Sequence, residues 1–240
     1  MSESVATFYS HYWHSRFLGP DEICHLSFFR YAVKQNKSLG WPHILDAGCG
    51  SGWLTHGLRD LGTITGIDLT IDVARRFYPR GIFRQVDVLT EVPTSAFDVV
   101  VSSEVLEHIS DQARYVDKIA GWLRPHGMLL LTTPNKPKAE ELFVAISRAR
   151  KQSIENWLTQ DELINLLMAR FHVLVADTIV HYPLWVRKNV LANALYFAVY
   201  AYGRAFWIHD FFRPLDDCPY QNPTGLYHAV VAVKKGVEYV

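Results

Sequence analysis

The sequence predicts an α/β protein. The expected form is a doubly wound, mostly parallel seven-stranded sheet with helices on both faces and a helical insertion before the last strand. Three observations predict it. Short β-branched and apolar runs recur without strict alternation, as in strands buried on both faces. Helical periodicity fills the intervals between them. A glycine-rich turn follows the first run, at the strand-to-helix junction where such sheets bind ligands.

In order, the expected strands are HILDAG (43–48), TITGIDL (63–69), FRQVDVL (83–89), FDVVVSS (97–103), GMLLLTT (127–133), FHVLVADTIV (171–180) and LYHAVVAVKK (226–235). Between the fourth and fifth lies DQARYVDKIAGWLRPHG. Its apolar positions Ala113, Val116, Ile119, Ala120 and Leu123 repeat at helical spacing and stop at Pro125 and Gly127. TQDELINLLMARF opens with Thr159 and Glu162 at capping-box spacing, and Leu158 and Leu163 stand as a hydrophobic staple.

Composition removes several function classes. Basic and acidic side chains balance at 24 each, so there is no field to gather nucleic acid. Cys24, Cys49 and Cys218 are too few and scattered for a disulfide framework or a zinc site, which points to a reducing cytoplasm. The N-terminal MSESVATFYSHYWHSRF lacks the basic start and apolar stretch of a signal peptide.

The first chemical signal is DAGCGSG, residues 46 to 52. Gly48, Gly50 and Gly52 let backbone approach a ligand closely. Asp68 closes the second strand 20 residues beyond Gly48, where a carboxylate can accept both hydroxyls of a ribose. A nicotinamide dinucleotide would need a small residue where Trp53 stands, so a pyrophosphate against this helix is disfavoured.

ILDAGCGSG, GIDL, VDV and FDVVVSSEVLEHI followed by LRPHGMLLLTTPN resemble the class I S-adenosylmethionine-dependent methyltransferases, with their Rossmann-like fold, from about residue 40 to 135. The resemblance implies S-adenosyl-L-methionine as cofactor. Asp46 and the glycines would hold its methionine end, and Cys49, Leu69 and Val88 would be further cofactor-binding residues. Asp68 would bind the ribose and Asp87 would sit beside the adenine amine, with Ser103 near the cofactor at the end of the fourth strand. EVLEH and TPN look most like the ubiquinone-biosynthesis O-methyltransferases and their small-molecule relatives. In those, an arginine of the N-terminal segment reaches the cofactor carboxylate, which implies that role for Arg30.

Such a donor carries its own electrophile, so catalysis is largely alignment, and an oxygen acceptor adds the need for a base or a cation. On a helix, Glu104, Glu107 and His108 would share one face. His108, with Glu104, is a candidate for the base. The three could instead hold a divalent metal such as Mg²⁺, or the acids could simply suit a helix N-terminus. His11 and His14 sit in an aromatic N-terminal segment that could close as a lid. His25, His43, His56, His126, His172, His181 and His228 read as ordinary surface or satisfied core residues.

The domain expected is single, 1–240: a helical lid segment (1–38), a cofactor-binding core (40–180), an apolar helical insertion (181–225) and the last strand (226–235). Within the insertion, Asn189, Asn193, Tyr196, Tyr200 and Arg204 form one helical stripe against Leu, Ala, Val and aromatic residues. Only about fifteen apolar residues separate Lys188 from Arg204, fewer than the roughly twenty of a membrane span. Three roles fit 184–213: a lid on the acceptor site, a peripheral contact at the inner membrane face, or a homodimer interface. The expected acceptor is a small apolar, prenylated or lipid-linked molecule methylated on a hydroxyl. The alternatives are a sugar, carbon or nitrogen target, or a silent S-adenosylmethionine-binding subunit of a larger assembly.

Overall fold

A computed structural model describes residues 20–91, 97–145, 154–180 and 225–236. Helix α1 (Pro20–Gln35) precedes β1 (His43–Ala47), α2 (Trp53–Leu58), β2 (Thr63–Asp68), α3 (Asp72–Phe77) and β3 (Phe83–Gln85). Then come β4 (Phe97–Ser103), a 3-10 turn at Leu106–His108, α4 (Gln112–Trp122), β5 (Leu123–Pro134), α5 (Lys136–Ala145), α6 (Gln160–Met168), β6 (Phe171–Ile179) and β7 (Tyr227–Lys234). His11, His14 and the apolar segment 184–213 lie outside the described residues.

The seven strands lie in the order β3-β2-β1-β4-β5-β7-β6. All neighbours are parallel except at β7, which runs against both β5 and β6. The carboxyl ends of β1, β2, β4 and β5 therefore gather along one edge, and the expected site residues follow those ends.

Period-2 alternation divides the strands between two cores. Leu129, Leu131, Val100 and Val230 face α4 and α6, meeting Tyr115, Val116, Ile119, Leu163 and Leu167. Leu130, Val99, Val101 and Val231 face the other way, onto Phe28, Phe29 and Val33 of α1 and Leu54 and Leu58 of α2. Two buried faces explain the unbroken apolar runs.

Local signals mostly hold. Thr159 and Glu162 form the expected capping box, and Leu158 and Leu163 join one core. Asp111 caps α4 through the Arg114 amide. Three expectations need correction. The third strand stops at Gln85 because the chain turns at Asp87, whose carboxylate takes the Leu89 amide and whose carbonyl takes those of Thr90 and Glu91. Helix α4 ends at Trp122, and Leu123 already pairs with Phe97 in the sheet, since Pro125 biases its predecessor towards extended backbone. On α4, Ala113 is exposed, and Tyr115 and Trp122 fill the core beside Val116, Ile119 and Ala120.

Candidate functional site

The turn after β1 is built from left-handed glycines, with φ of 83° at Gly48, 50° at Gly50 and 80° at Gly52. Space is short as well as conformation. A Cβ at Gly48 would collide with the Val105 side chain, and one at Gly52 would lie 2.8 Å from the Phe83 ring. The turn is bonded to β2: the amides of Gly48 and Cys49 donate to the Ile67 carbonyl at 2.8 and 2.9 Å. The Gly50 amide donates to Asp68 Oδ2 at 2.8 Å, and Thr70 donates to Oδ1 at 3.2 Å.

Three acids line this edge. Asp46 is buried and accepts the Thr55 hydroxyl at 2.6 Å, and burial lifts its carboxyl to about 7. Burial likewise raises Asp68, against the pull of its amide donors. Asp87 stands in its turn after β3, with Val88 buried beside it. Leu69, next to Asp68, is an exposed large apolar side chain, while Cys49 is buried with its thiol pushed up by burial. Buried carboxylates with unused lone pairs suit a ligand bearing hydroxyls and positive charge.

SSEVLEH departs from the expected helix. Glu104 sits at a φ of 56°, and only Leu106–His108 form a 3-10 turn. The shared face of positions i, i+3 and i+4 is therefore lost. Glu107 is buried, and its Oε2 accepts from the Thr133 hydroxyl at 2.9 Å. His108 Nδ1 lies 3.1 Å from the Ile154 carbonyl, and Nε2 lies 3.5 Å from Glu107 Oε1. The Asn156 amide donates to the Glu107 carbonyl at 2.8 Å, so this pair holds down the irregular segment 154–156. The two ring nitrogens of His108 thus face Ile154 and Glu107 of the same chain. Among the described residues no group of three His, Cys, Asp or Glu side chains is placed to hold a metal ion. The expected Mg²⁺ set of Glu104, Glu107 and His108 is thus not assembled among the described residues: Glu107 and His108 stand side by side, while Glu104 turns towards Thr132.

Glu104 goes to the α1 side of the sheet. The residue is half-buried, and its Oε1 is sealed from solvent with no hydrogen-bond partner among the described residues. Burial, then the neighbouring Glu107, raise its carboxyl well above the usual range, while the Thr132 hydroxyl acts to lower it. Ser103 Oγ lies 3.1 Å from Thr132 Oγ1 and 3.5 Å from His25 Nδ1. His25 was expected to be ordinary. Instead it is 3% exposed, with Nε2 unpartnered among the described residues. One isolated histidine in a helix carries no local signal that could have revealed this.

Arg30 stands apart from the glycine turn. Its guanidinium forks onto Asp60, just past the end of α2, at 2.5 and 2.7 Å and donates to the Gly57 carbonyl in the last turn of that helix. The structure does not bring it to the other expected ligand residues.

Residues 12–170 match the family described as Methyltransferase domain. The chain belongs to the methyltransferase domain family. It is 36% identical over 124 residues to the ubiquinone biosynthesis O-methyltransferase of Nitrosococcus oceani, covering 48% of this chain and 52% of that protein. The methyltransferase-domain chain spans about half the length of the curated relatives it matches first. Among solved structures, it resembles a chain in the complex of the Haloferax volcanii Trm112 methyltransferase activator with a methyltransferase. The TM-score is 0.62 at 17% identity, over 91% of this chain and 93% of that one. It also resembles the N-methyltransferase NodS of Bradyrhizobium japonicum, solved with S-adenosyl-L-homocysteine. There the TM-score is 0.52 at 15% identity, over 88% of each chain. At those identities the likeness is one of fold.

Proposed function

We propose that this methyltransferase domain moves a methyl group from S-adenosylmethionine to a hydroxyl of a small molecule, with Glu104 as the base. The observation that carries this reading is the buried, unpartnered Oε1 of Glu104, next in sequence to the Val105 that packs on Gly48. The site suits the donor. Asp46, the turn of Gly48, Cys49, Gly50 and Gly52, and Asp68 with Leu69 offer close backbone and acceptor oxygens for a ribose and an ammonium group. Asp87 and Val88 stand one strand further for a base, and Ser103 borders the same edge.

When bound, S-adenosylmethionine supplies a methyl group on a positively charged sulfur. The acceptor's O–H bond breaks as its oxygen bonds the methyl carbon, and the S–CH₃ bond pair stays with sulfur. Glu104 takes the proton. A buried carboxylate with a raised pKa is a stronger base than an exposed one, and a positively charged donor bound beside it would favour its ionised form. Ser103 and Thr132 hold the carboxylate and the acceptor edge of β4 and β5 in place.

A screen of phenols, quinol precursors, glycolipids and sugar nucleotides with isotopically labelled methyl donor tests the reading. Label on an oxygen, lost in Glu104→Gln, supports it; label on carbon or nitrogen alone rules out the oxygen target.

The aromatic and apolar composition of 184–213 supports an apolar or lipid-linked acceptor and a peripheral contact with a membrane face. Among the described residues no helix is long and apolar enough to cross a membrane. Sedimentation with anionic liposomes, with and without residues 184–222, checks the contact. If neither protein sediments, the membrane part of the reading is wrong. The activator complex of the Haloferax relative supports a second reading, a cofactor-binding subunit that is silent alone. Tight S-adenosylmethionine binding without turnover, together with obligate heteromer formation on size exclusion, would favour it.

A further inference from the structure

Two buried polar atoms of one connected group lack a partner among the described residues: His25 Nε2 on α1 and Glu104 Oε1 after β4. The group is continuous. His25 Nδ1 meets Ser103 Oγ, Ser103 meets Thr132 Oγ1, and the Thr132 hydroxyl bonds the Glu104 carboxylate. Asp21, one helical turn before His25, brings its charge to bear on Glu104, as does Glu22. Tyr227 closes the other side. Its ring meets the His25 ring edge-on at 4.6 Å, and its hydroxyl donates to Asp21 Oδ2 at 3.2 Å. Four elements thus converge on this group: α1, the ends of β4 and β5, and the start of β7.

A buried polar atom without a partner is unfavourable, because it has given up its hydrogen bonds to water. Two on one hydrogen-bonded chain, at the carboxyl edge of the sheet, make a place where a ligand group can satisfy both. We infer that His25 Nε2 and Glu104 Oε1 together form the acceptor subsite, and that it takes an uncharged hydroxyl-bearing molecule and turns away carboxylates. This rests on the methyl-transfer reading and adds His25 to it, as a residue that touches the acceptor.

The chemistry sets the class. Burial holds the His25 imidazole neutral, with a pKa lowered to about 3, so Nε2 offers one neutral hydrogen bond and no positive charge. Glu104 offers an acceptor oxygen, and Asp21 and Glu22 make the surroundings unfavourable for a further negative charge. A hydroxyl can donate to Glu104 and remain in reach of a neutral imidazole. A carboxylate acceptor meets the negative field of Asp21 and Glu22 and a neutral imidazole that brings no compensating positive charge.

The test uses the full chain saturated with S-adenosylhomocysteine, with phenol as the minimal hydroxyl probe and benzoate as its charged counterpart. The imidazole nitrogen resonances are read, and His25 is assigned by its loss in His25→Gln. Phenol is expected to shift the Nε2 resonance more than Nδ1, Glu104→Gln to weaken that response, and benzoate to leave both unmoved. An Nε2 resonance that phenol leaves in place, or that benzoate moves equally, overturns the subsite.

Kinetics on any hydroxyl acceptor give a second readout. His25→Gln, which places an amide near the Nε2 position, is expected to retain more of kcat/KM than His25→Asn, which reaches only the Nδ1 position and loses about tenfold or more. The reverse order would mean that His25 serves only to hold Ser103, and the inference would fall. A phenol response without methyl transfer to any hydroxyl supports the subsite and sinks the oxygen-transfer reading.

Discussion

The Gly50 amide donates to Asp68 Oδ2 at 2.8 Å, so the carboxylate that ends β2 holds the turn that ends β1. One side chain thereby shapes the glycine turn and faces the ligand edge. Asp68→Ala removes both functions. Affinity for S-adenosylhomocysteine, measured by titration calorimetry, is expected to fall about 10- to 100-fold, the range for losing a charged hydrogen-bond partner.

Val105 fills the space beside Gly48, whose φ is 83°. Gly48→Ala should therefore destabilise the fold by about 1–3 kcal/mol, from strained backbone and a side-chain clash together. Gly48→Ala/Val105→Ala should recover part of that loss, the part due to the clash. Equal destabilisation in both proteins by urea unfolding would leave backbone strain as the whole cause.

Glu104 and His108 should separate cleanly. Glu104→Gln is expected to lower turnover about 10²–10⁴-fold on an oxygen acceptor. His108→Asn, whose amide reaches the Nδ1 position and can still donate to the Ile154 carbonyl, should leave turnover within about twofold at saturating cofactor, because no proton-transfer contribution is removed. Activity should rise with pH through the raised Glu104 pKa and be lost below it, and Glu104→Gln should abolish that limb.

Asp46 makes a distinct prediction for stability. Its folded-state pKa, about 7, lies above the ordinary value of 3.8, so the folded state binds the extra proton between those values. The stability it contributes is present below the ordinary pKa and declines as pH rises through about 7. Asp46→Asn, neutral throughout, should gain on wild type over that window in urea unfolding. His25 acts in the opposite sense, favouring the fold as pH rises from about 3 towards 6.5, so the comparison of variants isolates Asp46.

Arg30 pairs with Asp60, so Arg30→Met should leave S-adenosylhomocysteine affinity within about twofold and cost at most about 1 kcal/mol of stability, as an accessible ion pair would. A large loss of affinity would return Arg30 to the ligand.

Much of this protein follows from local pattern. Strands with two apolar faces, the capping box at Thr159 and the positive-φ glycines each depend on neighbours a few residues away, and each stands where the sequence predicts it. Leu129 and Leu130 enter opposite cores because strand geometry sends successive side chains to opposite faces. The same locality places Gly48, Asp46 and Asp68 on one edge, since they close parallel neighbouring strands.

What the sequence by itself determined is therefore the sheet, its family and the ligand edge. Only the tertiary structure decided what each polar side chain does there. Thr133, 26 residues away, draws in Glu107, and Asp60, 30 residues away, takes Arg30. Ser103, 78 residues on, meets a histidine with no motif around it. Backbone periodicity is set by near neighbours, whereas a buried polar group must take whichever partner the folded chain brings within a hydrogen bond's length.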